Sequence, residues 1–335
     1  MTIKAAYIKA PWQVEVRDIE LPEPGPEEIL LKVDACGMCG SDLTAIKERQ
    51  KEWGAFGHEI AGEALRVGTH VNNVEIGQSV VLESSSYCGV CALCRNGRVD
   101  LCRKAAKIWG RSAMGFSQEM IAPACCVVPY KNISPEVACM AEPAGVAVDM
   151  VQVADIQLND SVCIVGPGPI ALMSIPLALR QGAGRLVCIG KESHGTRLAL
   201  AKELGAEIAT INQELGELDD LKDQFDHVLM TAPAKFIADC FPFLRYGGEV
   251  TYIGIGTGSG NITFDANSFH FRKLQLRASF ASPGIFLPLV LDLFEKEILP
   301  GEKFISHRLN LAQMDTAFPI LRDTPNDVIK MVIKP

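Results

Sequence analysis

Four cysteines fall in one short stretch, YCGVCALCRNGRVDLC, at Cys88, Cys91, Cys94 and Cys102. Soft thiolates spaced C-x2-C-x2-C-x7-C can take the corners of a tetrahedron around zinc without a large scaffold. Gly89 and Gly97 allow sharp turns between them. With all four corners filled by protein, no position is left for a substrate, so such a zinc is structural. Loops with four cysteines also hold iron–sulfur clusters, and thiols also gather because they are buried. Two disulfides fit the rest of the chain poorly. The opening MTIKAAYIKAPWQVEV lacks the apolar region and cleavage site of a secretory signal. The expected location is the cytoplasm, where thiols stay reduced. Structural zinc is the expected occupant of this loop.

A second set of potential ligands lies in CGMCGSDLTAIKERQKEWGAFGHEIAGE. Cys39 and His58 are good zinc donors, and Glu59 follows directly. Glu142 stands in the apolar stretch ACMAEPAGVAVDM, where a lone carboxylate is costly to bury and a nearby cation would compensate it. Capping the following helix is its other reading.

A third stretch, VCIVGPGPIA, is an apolar strand followed by G-x-G-x-x-A. Gly166 permits a tight turn and Gly168 a close approach of pyrophosphate. Pro169 and Ile170 open a helix whose N-terminus receives the phosphates, and Ala171 lets helix and strand pack closely. The next strand, GRLVCIG, ends at Gly190, about where an acid would hold the adenosine ribose. Gly190 has no side chain, and Lys191, Glu192, His194 and Arg197 follow. The three basic residues suit a 2′-phosphate and Glu192 opposes it. The cofactor is therefore expected to be NAD or NADP, without strict selectivity.

These groups need a scaffold. The chain has 335 residues, room for about two domains. Hydrophobic residues make up 48% and charged ones 21%, which argues for a folded chain over a disordered one. Residues 1–145 carry short alternating runs such as EILLKVDAC and EIAGEALRVG between turn clusters, a mostly β pattern. Residues 146–295 alternate helical stretches with six apolar runs: SVCIVG, GRLVCIG, EIATIN, FDHVLMT, GEVTYIGI and KLQLRASF. That alternation predicts a doubly wound parallel sheet. Residues 296–335 return to mixed texture and end in the strand-like DVIKMVIKP. Pro176 should kink its helix or remove a backbone bond. A net charge of −8 without a basic patch argues against nucleic acid, and no apolar run has transmembrane length.

GMCGSD, GHEIAGE, the four-cysteine loop, AEPAGVA and GPGPIA occur in that order, and together they resemble the zinc-dependent medium-chain dehydrogenases, most closely the sorbitol or polyol branch. The resemblance covers essentially the whole chain. It implies a discontinuous GroES-like, mostly β catalytic domain (1–145 and 296–335) and a Rossmann NAD(P)-binding domain (146–295), with the active site in the cleft between them. It implies two zinc ions per chain. The structural ion falls to the four cysteines; the catalytic one falls to Cys39, His58 and Glu59, with Glu142 as a further acidic partner. Ser41 matches the hydroxyl that starts the family's proton relay, whereas the relay histidine of many relatives is replaced by Thr44. The segment between Cys39 and His58 is shorter than in sorbitol dehydrogenases. Cys36 is not a ligand in the family pattern, and Cys125 and Cys126 read as strand or core residues. The implied activity is reversible oxidation of a secondary alcohol in a polyol, sugar or related small polar molecule. An amino-alcohol dehydrogenase resembling threonine 3-dehydrogenase is the nearest alternative. A zinc-binding regulator without turnover is the alternative from another class. Homo-oligomers, dimer or tetramer, are the family habit, and GGEVTYIGI is a candidate edge strand for such an interface.

Overall fold

The computed structural model describes residues 2–212, 214–253 and 260–335. The chain divides into two compact units, Met1–Gly145 with Ala281–Pro335, and Val146–Phe280.

The first unit is built on a seven-stranded sheet whose central member is Glu28–Gly37. Ile29–Leu31 are buried, Lys32 and Asp34 are more exposed on either side of buried Val33, and the end, Ala35–Gly37, is fully buried. That end is paired on both sides. Gly37 lies opposite Glu59 on Glu59–Val67, and opposite Val332 on Lys330–Lys334. Apolar side chains such as Ile29, Leu31, Phe56, Phe116 and Phe318 fill the core beneath. Three segments far apart in sequence therefore begin or end at one place: the turn after Gly37, the start of the 59–67 strand and the start of the 330–334 strand.

The second unit holds six parallel strands in the order Glu207–Ile211, Arg185–Lys191, Ser161–Val165, Phe225–Met230, Leu244–Ile253, Gln275–Ser279. The chain starts in the middle, winds to one edge, returns to the middle and winds to the other. This is the doubly wound order, and each strand forms at the apolar run expected for it. The last two residues of GEVTYIGI, Gly254 and Ile255, lie outside the described residues. Leu244–Ile253 is paired on both sides, so GGEVTYIGI is not an edge strand of this unit. The helix Pro169–Gln181 runs through Pro176. Proline has no N–H for the carbonyl one turn earlier.

The chain re-enters the first unit at Ala281, whereas the change of texture placed that return at residue 296. The reason is the amphipathic helix Leu287–Glu295, which packs near Pro135–Ala138 and whose Glu295 accepts from Asn132 Nδ2 at 2.7 Å. An apolar helix face carries no mark of which core it will join. Among the described residues no helix is long and apolar enough to cross a membrane.

Candidate metal and cofactor sites

Strand pairing assembles the first site. Cys39 caps the short helix Gly40–Thr44 just past the end of Glu28–Gly37, and its N–H donates to Asp42 Oδ2 at 3.0 Å. His58 and Glu59 stand at the start of the neighbouring strand. One ligand atom from each of Cys39, His58 and Glu59 lies within 4.8 Å of the others. His58 and Glu59 are buried, and Cys39 is partly exposed. His58 Nδ1 has no hydrogen-bond partner, and its nearest acid is Asp42 Oδ1 at 3.9 Å. Burial works against a charged imidazole, yet a hydrogen bond with Cys39 and the charges of Cys39, Glu142 and Asp42 hold His58 well above its ordinary pKa. Anions crowded around one imidazole are what a divalent cation relieves. A thiol, an imidazole and a carboxylate converging there suit zinc.

Glu142 stands beside this trio and outside it. Burial raises its carboxyl above the usual range, while His58 pulls it down and Ser84 donates a hydrogen bond to it. With Glu83, Ser84, Ile285 and Phe286 it lines a cleft within the first unit. Glu83 is 6% exposed, and burial pushes its pKa up to about 7 against a hydrogen bond from Ser86. Ser41 is partly exposed on the first turn of its helix. The Thr44 hydroxyl donates to the Gly40 carbonyl at 3.2 Å, so it is tied to its own helix. Cys36 is fully buried. Cys126 is buried as expected, but Cys125 is exposed on the turn Ala124–Cys126 and is not a core residue. A turn between two strands aims neighbouring side chains in different directions.

One member of the site escaped the sequence. Lys330 Nζ reaches Glu59 Oε1 at 2.7 Å and Oε2 at 2.8 Å, and donates to the Met38 carbonyl at 3.2 Å. Lysine and glutamate are 3% and 0% exposed. Burial alone would lower Lys330; the Glu59 charge outweighs it and holds its pKa above the ordinary value. The available signal was a lysine inside the apolar run VIKMVIK. Removing one partner of such a pair leaves an unpaired buried charge. Lys330→Met should therefore destabilise the protein by about 3–5 kcal/mol, read as a lower urea midpoint at unchanged slope. A midpoint equal to wild type would show that Glu59 does not depend on this lysine.

The four cysteines form the second site. All twelve cysteines are free thiols. The Cys91 and Cys94 sulfurs are 3.5 Å apart, Cys88 and Cys102 3.6 Å, Cys91 and Cys102 3.9 Å, and Cys88 and Cys94 4.0 Å. Zinc–sulfur bonds of about 2.3 Å at tetrahedral angles place sulfurs about 3.8 Å apart. An iron–sulfur cluster would interpose its own irons and sulfides and hold the cysteines farther apart. Backbone N–H groups of Val90 and Cys91 bring Cys88 down to about 6, although burial pushes Cys94 up to about 12.

In the second unit Gly166 has φ +94°, the turn its position requires, and Gly168 caps the helix Pro169–Gln181 with open space where a side chain would stand. Pro169 and Ile170 form the first turn, and Ala171 is fully buried. A backbone cradle with free room at a helix N-terminus fits a pyrophosphate. Gly190 does not fit the part expected of it. A Cβ there would lie 2.9 Å from the Pro167 ring and 3.0 Å from Leu198, so this position holds the turn against the strand and has no room for an acid. The strand extends to Lys191, and Glu192 is the first residue past it, exposed. His194 accepts from the Lys191 N–H through Nδ1 at 3.2 Å. Burial, with Arg197 and Lys191 nearby, lowers its pKa, so it adds no charge at neutral pH. Arg197 is partly buried.

Residues 25–132 match the family described as alcohol dehydrogenase GroES-like domain, and residues 169–296 match zinc-binding dehydrogenase. The chain is 32% identical over 282 residues to L-threonine 3-dehydrogenase of Pyrococcus abyssi, covering 80% of each chain. It is 28% identical to L-idonate 5-dehydrogenase of Vitis vinifera, over 93% of this chain and 88% of the other. Its fold superposes on alcohol dehydrogenase TADH from Thermus sp. ATN1 with a TM-score of 0.86, 25% identity and 99% coverage of both chains. Two family models that together match most of the chain, and a relative 32% identical over 80% of it, show that the chain belongs to the zinc-binding dehydrogenases with an alcohol dehydrogenase GroES-like domain.

Proposed function

We propose that this zinc-dependent, NAD(P)-linked dehydrogenase oxidises a secondary alcohol of a small polyol or sugar. The observation that carries the reading is the convergence of Cys39, His58 and Glu59 within 4.8 Å beside a cleft. The reaction moves a hydride from the carbinol carbon to the nicotinamide and releases the hydroxyl proton, so the alcohol becomes a ketone and NAD(P)+ becomes NAD(P)H. Zinc held by these residues supplies Lewis acidity that lowers the pKa of the substrate hydroxyl. The remaining work belongs to the chain. Lys330 and Asp42 hold Glu59 and Cys39 in place. Ser84 orients Glu142 in the cleft. Ser41 is the hydroxyl suited to pass the proton outward, and with Thr44 bonded to its own helix the next carrier is water.

The amino-acid alternative needs a cation to anchor the substrate carboxylate. Among the described residues, the lining of the cleft holds Glu83 and Glu142 and no basic side chain, which favours an uncharged alcohol. A regulator without turnover would not require the assembled trio. Cofactor reduction with a panel of polyols, sugars and L-threonine tests the reading. A neutral polyol or sugar should be oxidised, and exclusive use of threonine would reject it.

Glu192, at the end of the second strand, is the residue best placed to accept the ribose hydroxyls and repel a 2′-phosphate. This reverses the weight given to the basic residues on sequence. NAD should be preferred to NADP by at least about tenfold in kcat/KM, and Glu192→Ala should shrink that ratio, since one charge-assisted contact is worth about 1.5–3 kcal/mol. Equal use of both cofactors by the wild type would remove Glu192 from this role. We place the enzyme in the cytoplasm as a homo-oligomer on the strength of the family resemblance; light scattering reads the subunit number.

A further inference from the structure

Two side chains near the first site have no part in the chemistry above. Trp109 is 48% exposed, and its ring lies 4.9 Å from the His58 ring at 46°. Trp109 thus carries accessible aromatic surface beside the metal site, which a ligand could cover. Glu83 is nine-tenths buried, yet it lines the cleft with Ser84 and Glu142. The backbone joins the two. Ser85 and Ser86 pair with Lys107 and Ala106, and the Ile108 N–H donates to the Ser84 carbonyl at 3.3 Å. One small ribbon therefore brings Trp109 to His58 and Glu83 with Ser84 to Glu142. Gly284 keeps the far side open, since a Cβ there would stand 3.2 Å from Glu83 Cγ.

A flat aromatic face packed on His58, with carboxyl groups in the neighbouring cleft, is chemistry that recognises a sugar ring. The axial C–H bonds of the ring present an apolar face to the indole, and neighbouring hydroxyls on its rim donate to the carboxylate. An open-chain alditol has no such face and must also be ordered on binding, which costs conformational entropy. We propose that Trp109 and Glu83 form a subsite for a neutral cyclic polyol, a pyranose or a cyclitol, and make it a better substrate than the open-chain alditol of the same carbon number. This deepens the proposed function and rests on it. Trp109 is the specificity-determining platform, and Glu83 receives hydroxyls away from the reacting carbon.

The test compares kcat/KM for glucose, galactose and myo-inositol with that for sorbitol and galactitol, using the zinc-loaded enzyme and saturating NAD. At least one ring substrate should exceed the alditols by about tenfold, in keeping with one stacking contact plus avoided ordering. Trp109→Ala should erase that advantage through KM, with kcat for the ring substrates changed far less, and Trp109→Phe should restore most of it. Glu83→Gln should raise KM for the ring substrates only. Equal or better use of alditols by the wild type overturns the proposal. So does a loss in kcat at unchanged KM in Trp109→Ala, which would mean that the indole acts only through His58. A Trp12→Phe/Trp53→Phe protein gives a second readout, quenching of Trp109 fluorescence by the ring ligand. Quenching without turnover of any alcohol would support the subsite and reject the proposed function, and no quenching would overturn the subsite.

Discussion

Cys39→Ser should yield a folded chain that holds one zinc ion where the wild type holds two and that has almost no dehydrogenase activity. Cys39 is partly exposed at the end of a strand that is paired on both sides, so the fold does not depend on its sulfur. The metal does. A hydroxyl in place of a thiolate removes the soft ligand of a three-residue set, with His58 and Glu59 left to hold the ion. Loss of Lewis-acid stabilisation worth several kcal/mol slows turnover by about a thousandfold or more. Elemental analysis and kcat on the same preparation check both halves. Full turnover with one zinc would mean that catalysis runs elsewhere.

Cys94→Ser should behave in the opposite way. Cys94 is buried, and its sulfur is within 4.0 Å of both Cys88 and Cys91. The loop from Cys88 to Cys102 contains only one helical turn, Ala92–Arg95, and one turn of 3-10 helix, Val99–Leu101, and it leaves Val90 and Leu101 exposed. It has little apolar burial of its own, so the ion must supply its order. The variant should lose the structural zinc and on the order of 4 kcal/mol or more of stability, with faster proteolysis within residues 88–102. Protein that does fold should keep the catalytic zinc. Stability and protease resistance equal to wild type would show that the thiols need no metal.

What the sequence made legible follows from range. Cys88, Cys91, Cys94 and Cys102 lie close enough that any compact loop brings them together, and Cys39 with His58 can be matched as short motifs. The central strands were visible because a strand buried on both faces is apolar along most of its length, as Val162–Val165 is. Lys330 was hidden because its partner lies 271 residues away and only the sheet register joins them. Counting residues from the glycine-rich turn places the ribose position near Gly190, but it does not show that a Cβ there would meet Pro167 and Leu198. The unit boundary at Ala281 leaves no mark in the sequence, because the apolar face of Leu287–Glu295 suits either core. Trp109 lies in KIWGRS, where nothing local signals that its ring will meet His58.

The central claim is that zinc held at Cys39, His58 and Glu59 serves the oxidation of an alcohol by NAD(P). Its most direct test is the absorbance of reduced nicotinamide formed from a neutral polyol or sugar by one preparation in three states: as isolated, stripped by a chelator, and reloaded with zinc. The account predicts substrate-dependent formation in the first and third states and none in the second. Equal rates in the stripped and reloaded protein, or no formation from any secondary alcohol with both zinc ions bound, would contradict it.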